Sequence, residues 1–247
     1  MLRADFGDCL FQSETVLAAI GRQLGPSLEL AILTLILTNL ISIPLGLFCA
    51  ARQDSISDYS IRVFSLVLMS VPVFWLAIIV LVYPAIWWGY SPPSQYISIF
   101  KSPGQNLQMF FLPALLGAIT QAGMQLRVVR TVILDVMRTD YIRTAWAKGD
   151  TERRVLYRHA FRNGLIPVVT VIGNSVAGLI GGSVILENIF NIPGIGHQVI
   201  SAIGKRDYPL VQGCVLIFAL ITMVINLLVD ISYKWIDPRV SLDEEES

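Results

Sequence analysis

The run LELAILTLILTNLISIPLGLFCAA, from Leu28 to Ala51, carries no charge after Glu29. A helix needs about 20 apolar residues to cross the hydrocarbon of a bilayer. The run therefore predicts a membrane span. Pro44 and Gly46 inside it are compatible with one, because neighbouring groups in a membrane protein take up the backbone positions they free. Four more stretches follow the same logic, at about 63–88, 110–126, 165–186 and 210–231. Charged residues make up only 15% of the chain and hydrophobic residues 54%, whereas about a quarter of a soluble domain is charged. The expected fold class is all-α: a polytopic membrane protein with five transmembrane helices.

The second span contains Pro72 and closes with Trp87 and Trp88, residues suited to a membrane–water interface. Phe110–Leu126 is the weakest of the five, with Pro113, Gln121 and Gln125 inside it, and its helix is free to continue past Arg127 and Arg130. Gly173, Gly178, Gly181 and Gly182 in the fourth suit close helix contact in lipid. Polar residues within spans usually face the bundle interior. Gln121, Gln125, Asn174 and Ser175, with Asn39 and Asn226, are candidates to line a path there or to bond one helix to another. Asp230 and Glu187 fall near span ends, where water is close.

Residues 1–25 mix charge and apolar groups too finely for a signal peptide and read as an extramembrane lead-in. Two loops are rich in turn formers: GYSPPSQYISIFKSPGQN at 89–106 and ENIFNIPGIGHQVISAIGKRDYP at 187–209. Alternate assignment of the loops puts Arg52, Arg62, every base from Arg127 to Arg162, Lys234 and Arg239 on one side. Only Arg3, Arg22, Lys101, Lys205 and Arg206 fall on the other. The basic side is cytoplasmic, which places the acidic tail, 240–247, inside and the N-terminus outside.

Several chemistries find no support. The cysteines, Cys9, Cys49 and Cys214, are far apart, and two lie in apolar runs. With His159 and His197 the only histidines, no metal motif or nucleophile constellation is present, so catalytic residues, metal and cofactors are all expected to be none.

The longest polar interruption is DYIRTAWAKGDTERRVLYRHAFRNGLIP, from Asp140 to Pro167. A basic loop between spans ordinarily records topology and an attraction for anionic lipid. Here the spacing adds more. Gly149 stands where a helix C-terminus is expected and divides the stretch into two helical halves. Arg154, Arg158 and Arg162, at i, i+4 and i+8, share one helix face, while Leu156, Tyr157, Ala160 and Phe161 take much of the other. Such a two-helix knob fits a groove in a soluble partner. It lacks a nucleic-acid reading module, and no nucleic acid is expected as a partner.

RTAWAKGDTERRVLYRHAFRN resembles the cytoplasmic EAA loop of bacterial ABC importer permeases, specifically the dipeptide and oligopeptide branch, where a TAxAKG stretch precedes HAxRN. Counted back from Gly149, the Glu-Ala-Ala positions fall on Arg143, Thr144 and Ala145. The acidic residue of the general motif is absent, as is usual for this branch, and Asp150 stands where the branch commonly has an apolar residue. SLELA at 27–31, SVPVFWLA at 70–77, ENIFNIPGIG at 187–196, RDYPLVQG at 206–213 and DPR at 237–239 resemble the same branch in the same order.

The resemblance implies a transmembrane domain over 26–239 with a coupling loop at 140–164. It implies an ATPase-docking role for Arg143, Thr144, Ala145, Lys148, Gly149, Arg154, Arg158 and His159. The segment with Glu187, Pro193, Gly194 and Gly196 is implied to lie near an external binding protein. The implied partners are a second permease subunit, two ATP-binding cassette subunits that hydrolyse ATP, a periplasmic or lipid-anchored binding protein and membrane lipid. The implied location is the bacterial inner membrane, and the implied cargo di- or oligopeptides, with nickel, glutathione or another small solute as alternatives. Members normally begin with one more span, so five stand where six are expected. A truncated or non-transporting anchor subunit is the competing expectation.

Overall fold

A computed structural model describes the backbone of residues 6–89, 91, 93 and 95–236, without the side chains of 165, 166, 174, 177–182, 230 and 232–236. The DPR motif and the acidic tail lie outside the described residues. Helices dominate: α1 (Val16–Ala51), α2 (Ile56–Ser70), α3 (Val73–Trp88), α4 (Pro103–Met137), α5 (Asp140–Ala147), α6 (Glu152–Arg154), a π-helical segment (Val155–Phe161), α7 (Arg162–Ile189), α8 (Ile195–Lys205) and α9 (Tyr208–Ile236).

Three of these, α1, α4 and α9, are long and apolar enough to cross a membrane, and α2 with α3 makes a fourth if the pair counts as one span. The predicted fourth span falls within α7, part of whose side chains lies outside the described residues. Five spans are therefore not reached among the described residues. The predicted second span is not one rod either. α2 and α3 meet at a break with a 90° bend. Pro72, at φ −60 and ψ 133, is the N-cap of α3; its ring and missing N–H prevent α2 from running through.

Helix ends also move from their sequence-based positions. α1 begins at Val16, inside the predicted lead-in, and residues 7–16 fold into a small hairpin held by a bridge between Asp8 and Thr15. α4 runs from Pro103 to Met137, through both Arg127 and Arg130. The 187–209 loop contains α8, whose buried Ile195, Gln198 and Ala202 recur at helical spacing.

Chain contacts divide the molecule into two units. The first holds residues 1–37, 71–118 and 176–224; the second holds 38–70, 119–175 and 225–247. Within the first, Leu30, Phe110, Leu186 and Ile192 anchor one apolar core, and Val16, Ile20, Leu210 and Cys214 anchor another. Within the second, Leu47, Val129, Ile133, Ile142 and Val155 form a single core that includes the knob. Gly173 fulfils its predicted packing role: a Cβ there would run into Val229 of α9.

Candidate functional site

Each half of the knob is built by a small number of apolar contacts. In α5, Ile142 and Ala145, three residues apart, are buried in the second unit's core, leaving Arg143, Thr144, Trp146 and Lys148 outside. Ala145, expected on the docking face, is thus a core residue. The helix stops in a Schellman turn: Gly149 N–H donates to Trp146 O at 3.0 Å and Asp150 N–H to Ala145 O at 3.2 Å. Gly149 sits at φ +85 with open space where a side chain would be. It is required by its backbone angle, not by crowding.

The second half is not the α-helix expected from the sequence. After the single turn of α6, residues 155–161 form a π-helix, in which hydrogen bonds run from i to i+5. Five-residue spacing brings Val155 and Ala160 to one side, and both are buried together with Leu156. Tyr157, predicted to be apolar-facing, is 53% exposed instead. Arg154, Arg158 and Arg162 all remain exposed.

Polar side chains tie the halves together. The Asp150 carboxylate accepts from Arg154 Nη1 at 3.2 Å and faces His159 Nε2 at 3.0 Å. Tyr141 of α5 donates its hydroxyl to His159 O at 3.3 Å and accepts from Asn163 Nδ2 at 2.8 Å; the same amide donates to His159 O at 2.9 Å. His159, expected on the docking surface, is half-buried as part of this brace. The sequence marks Asp150 only as a departure from the branch's pattern and gives no role to the Tyr141 and Asn163 side chains. The i, i+4 spacing of Asp150 and Arg154 was a readable signal, whereas Tyr141 and Asn163 meet across 22 positions. Outside the brace, Thr151, Arg153, Arg154 and Tyr157 line an open cleft of about 530 Å³.

The other predicted site residues behave differently. Glu187 is fully buried, contrary to its expected place near water. Its Oε2 accepts from the N–H groups of Gly196 at 2.8 Å and His197 at 3.2 Å, and Ser27 Oγ accepts from Ile195 N–H at 2.8 Å. Together they satisfy the first turn of α8, whose N-cap, Gly194, has no side chain to do so. Gly194 and Gly196 are buried, and a Cβ on either would meet the Glu187 carboxylate. Just before them α7 closes on Asn191 at φ 52, with Ile192 N–H donating to Glu187 O at 2.8 Å, and Pro193 follows where the helix cannot continue. ENIFNIPGIG is a clamp in which Glu187, Phe190, Ile192, Gly194, Ile195 and Gly196 are buried while Asn188 and Asn191 are exposed.

Among candidates for a path, Gln125 is buried and donates to Asn39 Oδ1 at 2.8 Å. Ser175 bonds back to Ile172 O of its own helix at 2.7 Å. The Gln121 side-chain oxygen is buried without a partner among the described residues. The Asn174 and Asp230 side chains lie outside the described residues. Glu29 of the SLELA motif accepts from Tyr96 at 2.9 Å and from Asn106 at 2.6 Å, fastening the 89–106 loop to α1. Burial first, then the hydrogen bond to Glu29 and its charge, push the Tyr96 hydroxyl above the ordinary phenol value.

Long apolar helices with a braced basic knob between two of them make up a membrane protein that has the fold of ABC importer permeases. Solved structures with this fold include the inward-facing MetNI methionine ABC transporter, at a TM-score of 0.72 and 14% identity over 92% of this chain and 100% of that one. An amino acid ABC transporter crystallised with histidines matches at a TM-score of 0.67 and 14% identity, over 88% of this chain and 94% of that one.

The chain belongs to the family described as binding-protein-dependent transport system inner membrane components, which it matches over residues 42–242. A Brucella suis biovar 1 protein assigned as a peptide transport system permease is 41% identical over 97% of this chain and 76% of its own length. The Bacillus subtilis oligopeptide transport system permease protein AppB is 35% identical over 97% of this chain and 77% of its own. The Alkalihalophilus pseudofirmus dipeptide transport system permease protein DppB is 35% identical over 96% and 77%. The chain spans about three quarters of the length of these relatives.

Proposed function

We propose that this chain forms half of the translocation path of an ATP-driven peptide importer, and that its knob is the surface on which an ATPase subunit docks. The relatives that share a third or more of its residues are named for peptide, oligopeptide or dipeptide transport, and that is the support for the cargo class. A second permease subunit completes the path, ATP is hydrolysed in separate subunits, and an external binding protein delivers the peptide on the side opposite the basic loops.

One observation carries the docking role. The knob presents Arg143, Lys148, Arg153, Arg158 and the half-exposed Trp146 and Tyr157 on a body whose two halves are fixed to each other by Asp150–His159 and Tyr141–Asn163. A braced body transmits a push; a loose loop absorbs it. α5 follows α4 after two residues, and the π-helical segment runs straight into α7, so displacement of the knob is delivered to two long helices at once.

The test is uptake of labelled peptides into vesicles containing the chain with its partner permease, ATPase subunits and binding protein. ATP-dependent accumulation that is lost with Arg153→Glu, at unchanged membrane levels of the chain, is the expected result. Normal uptake by that variant contradicts the docking role.

A further inference from the structure

α2 is held to its unit in an unusual way. Of its residues, only Asp58 and Ser65 are buried, while Val63, Phe64 and Val67 are more than half exposed. Apolar burial therefore does little to fix α2 within the second unit. The strongest tie is polar. Arg130 of α4 grips the Asp58 carboxylate with both arms of its fork, Nε to Oδ1 at 2.9 Å and Nη2 to Oδ2 at 2.7 Å. Arg62 Nε adds a contact to Oδ1 at 3.3 Å. Asp54 N–H donates to Oδ2 at 3.1 Å, and the Asp58 N–H is itself taken by Ser55 Oγ at 3.2 Å. The Asp58 side chain is fully buried and that of Arg130 only 13% exposed. A second contact follows further along, where a Cβ on Gly123 of α4 would lie 3.1 Å from Ser65 O.

A buried ion pair is weak evidence for stability, since apolar residues of similar volume often replace one without loss. What a forked pair supplies that apolar packing does not is a fixed register and rotation of one helix on another. Its position gives that register a use. Val129 and Ile133, on either side of Arg130 in α4, belong to the same core as Ile142 and Ala145 of α5. Arg130, the stretch of α4 around it and the knob are therefore one packed body, and Asp58 is the strongest polar point at which α2 joins it.

We propose that Asp58 and Arg130 are positioning residues for transport: their ion pair makes α2, the near half of the broken span, move with α4 when the knob is displaced. This rests on the docking role proposed above. With apolar contact alone, α2 slides or rotates on α4 and part of the knob's motion is lost before it reaches the break at Pro72.

The complete importer, reconstituted in vesicles, is assayed for peptide taken up per ATP hydrolysed, with ATPase co-purification measured in parallel. Asp58→Asn and Arg130→Gln are each expected to lower that ratio by about tenfold while co-purification stays within about twofold, and the double variant to fall no further than the worse single one, as for two residues acting as a unit. Arg130→Lys keeps the charge but loses the fork and is expected to lower the ratio as well. An unchanged ratio in the single variants, effects that multiply in the double variant, or wild-type coupling by Arg130→Lys would each overturn the inference. Loss of co-purification in both single variants, with coupling intact in Arg130→Lys, would assign the pair a purely structural role and overturn it too. Failure of the docking role shows differently: the ATPase then does not co-purify even with the unaltered chain.

Discussion

The knob at 140–163 and the clamp at 187–196 are both glycine-containing motifs by which the chain resembles its family, yet the glycines are there for opposite reasons. Gly149 has open space around its α-carbon and a backbone at φ +85. Gly194 has an ordinary backbone at φ −105 and no space, because the Glu187 carboxylate and Ser27 Oγ occupy the place of a Cβ. The first makes a turn that leaves side chains outside; the second lets a carboxylate reach a helix N-terminus and is itself buried. The contrast separates a turn that leaves basic side chains exposed from a joint that holds α1, α7 and α8 together.

Substitutions can break that contrast, and the largest effect belongs to the clamp. Gly194→Ala forces a methyl group onto Glu187 and Ser27 and is expected to cost about 3 kcal/mol through overpacking and displaced hydrogen bonds, read as a lower unfolding temperature of the purified chain in detergent. Glu187→Ala leaves the buried N–H of Gly196 and the part-buried N–H of His197 unpaired, an expected loss of about 2 kcal/mol by the same measurement. Gly149→Val costs about 1 to 2 kcal/mol because a β-branched residue resists the left-handed region, while Gly149→Asn costs little. A Val variant as stable as wild type would remove the backbone argument for that position. Asp150→Asn is expected to change stability by less than about 1 kcal/mol, as the Arg154 and His159 pairs are partly open to water. Its effect is expected in uptake per ATP, because it loosens the two halves of the knob.

The same two regions show what a sequence can and cannot state. The span-length apolar runs were legible because lipid imposes one requirement along a whole segment, and Gly149 was legible because a helix stop is local chemistry. The direction in which Glu187 points was not, since a position near a span end is consistent with water or with a buried joint; only the return of α8 against α7 decides it. The π-helical segment was also hidden. Leu156, Tyr157, Ala160 and Phe161 read as one side of an α-helix, and the i+5 pairing that turns Tyr157 outward and Val155 inward goes with packing in the second unit's core. Pro72 is visible in the sequence, but a proline inside a span can be tolerated without a break, and the 90° bend is seen only in the fold.

The ATPase contact is expected at the knob and not at the clamp or the helix it caps. Cys9, Cys49 and Cys214 are all buried, so a single introduced thiol can be addressed by a short bifunctional cross-linker. Thr151→Cys in the cleft of the knob and Lys205→Cys at the end of α8 are compared in transport-active complexes. A cross-link to the ATPase subunit is expected from position 151 and none from position 205. A cross-link from 205, or its absence from 151 in a complex that still transports, rules out the knob as the contact.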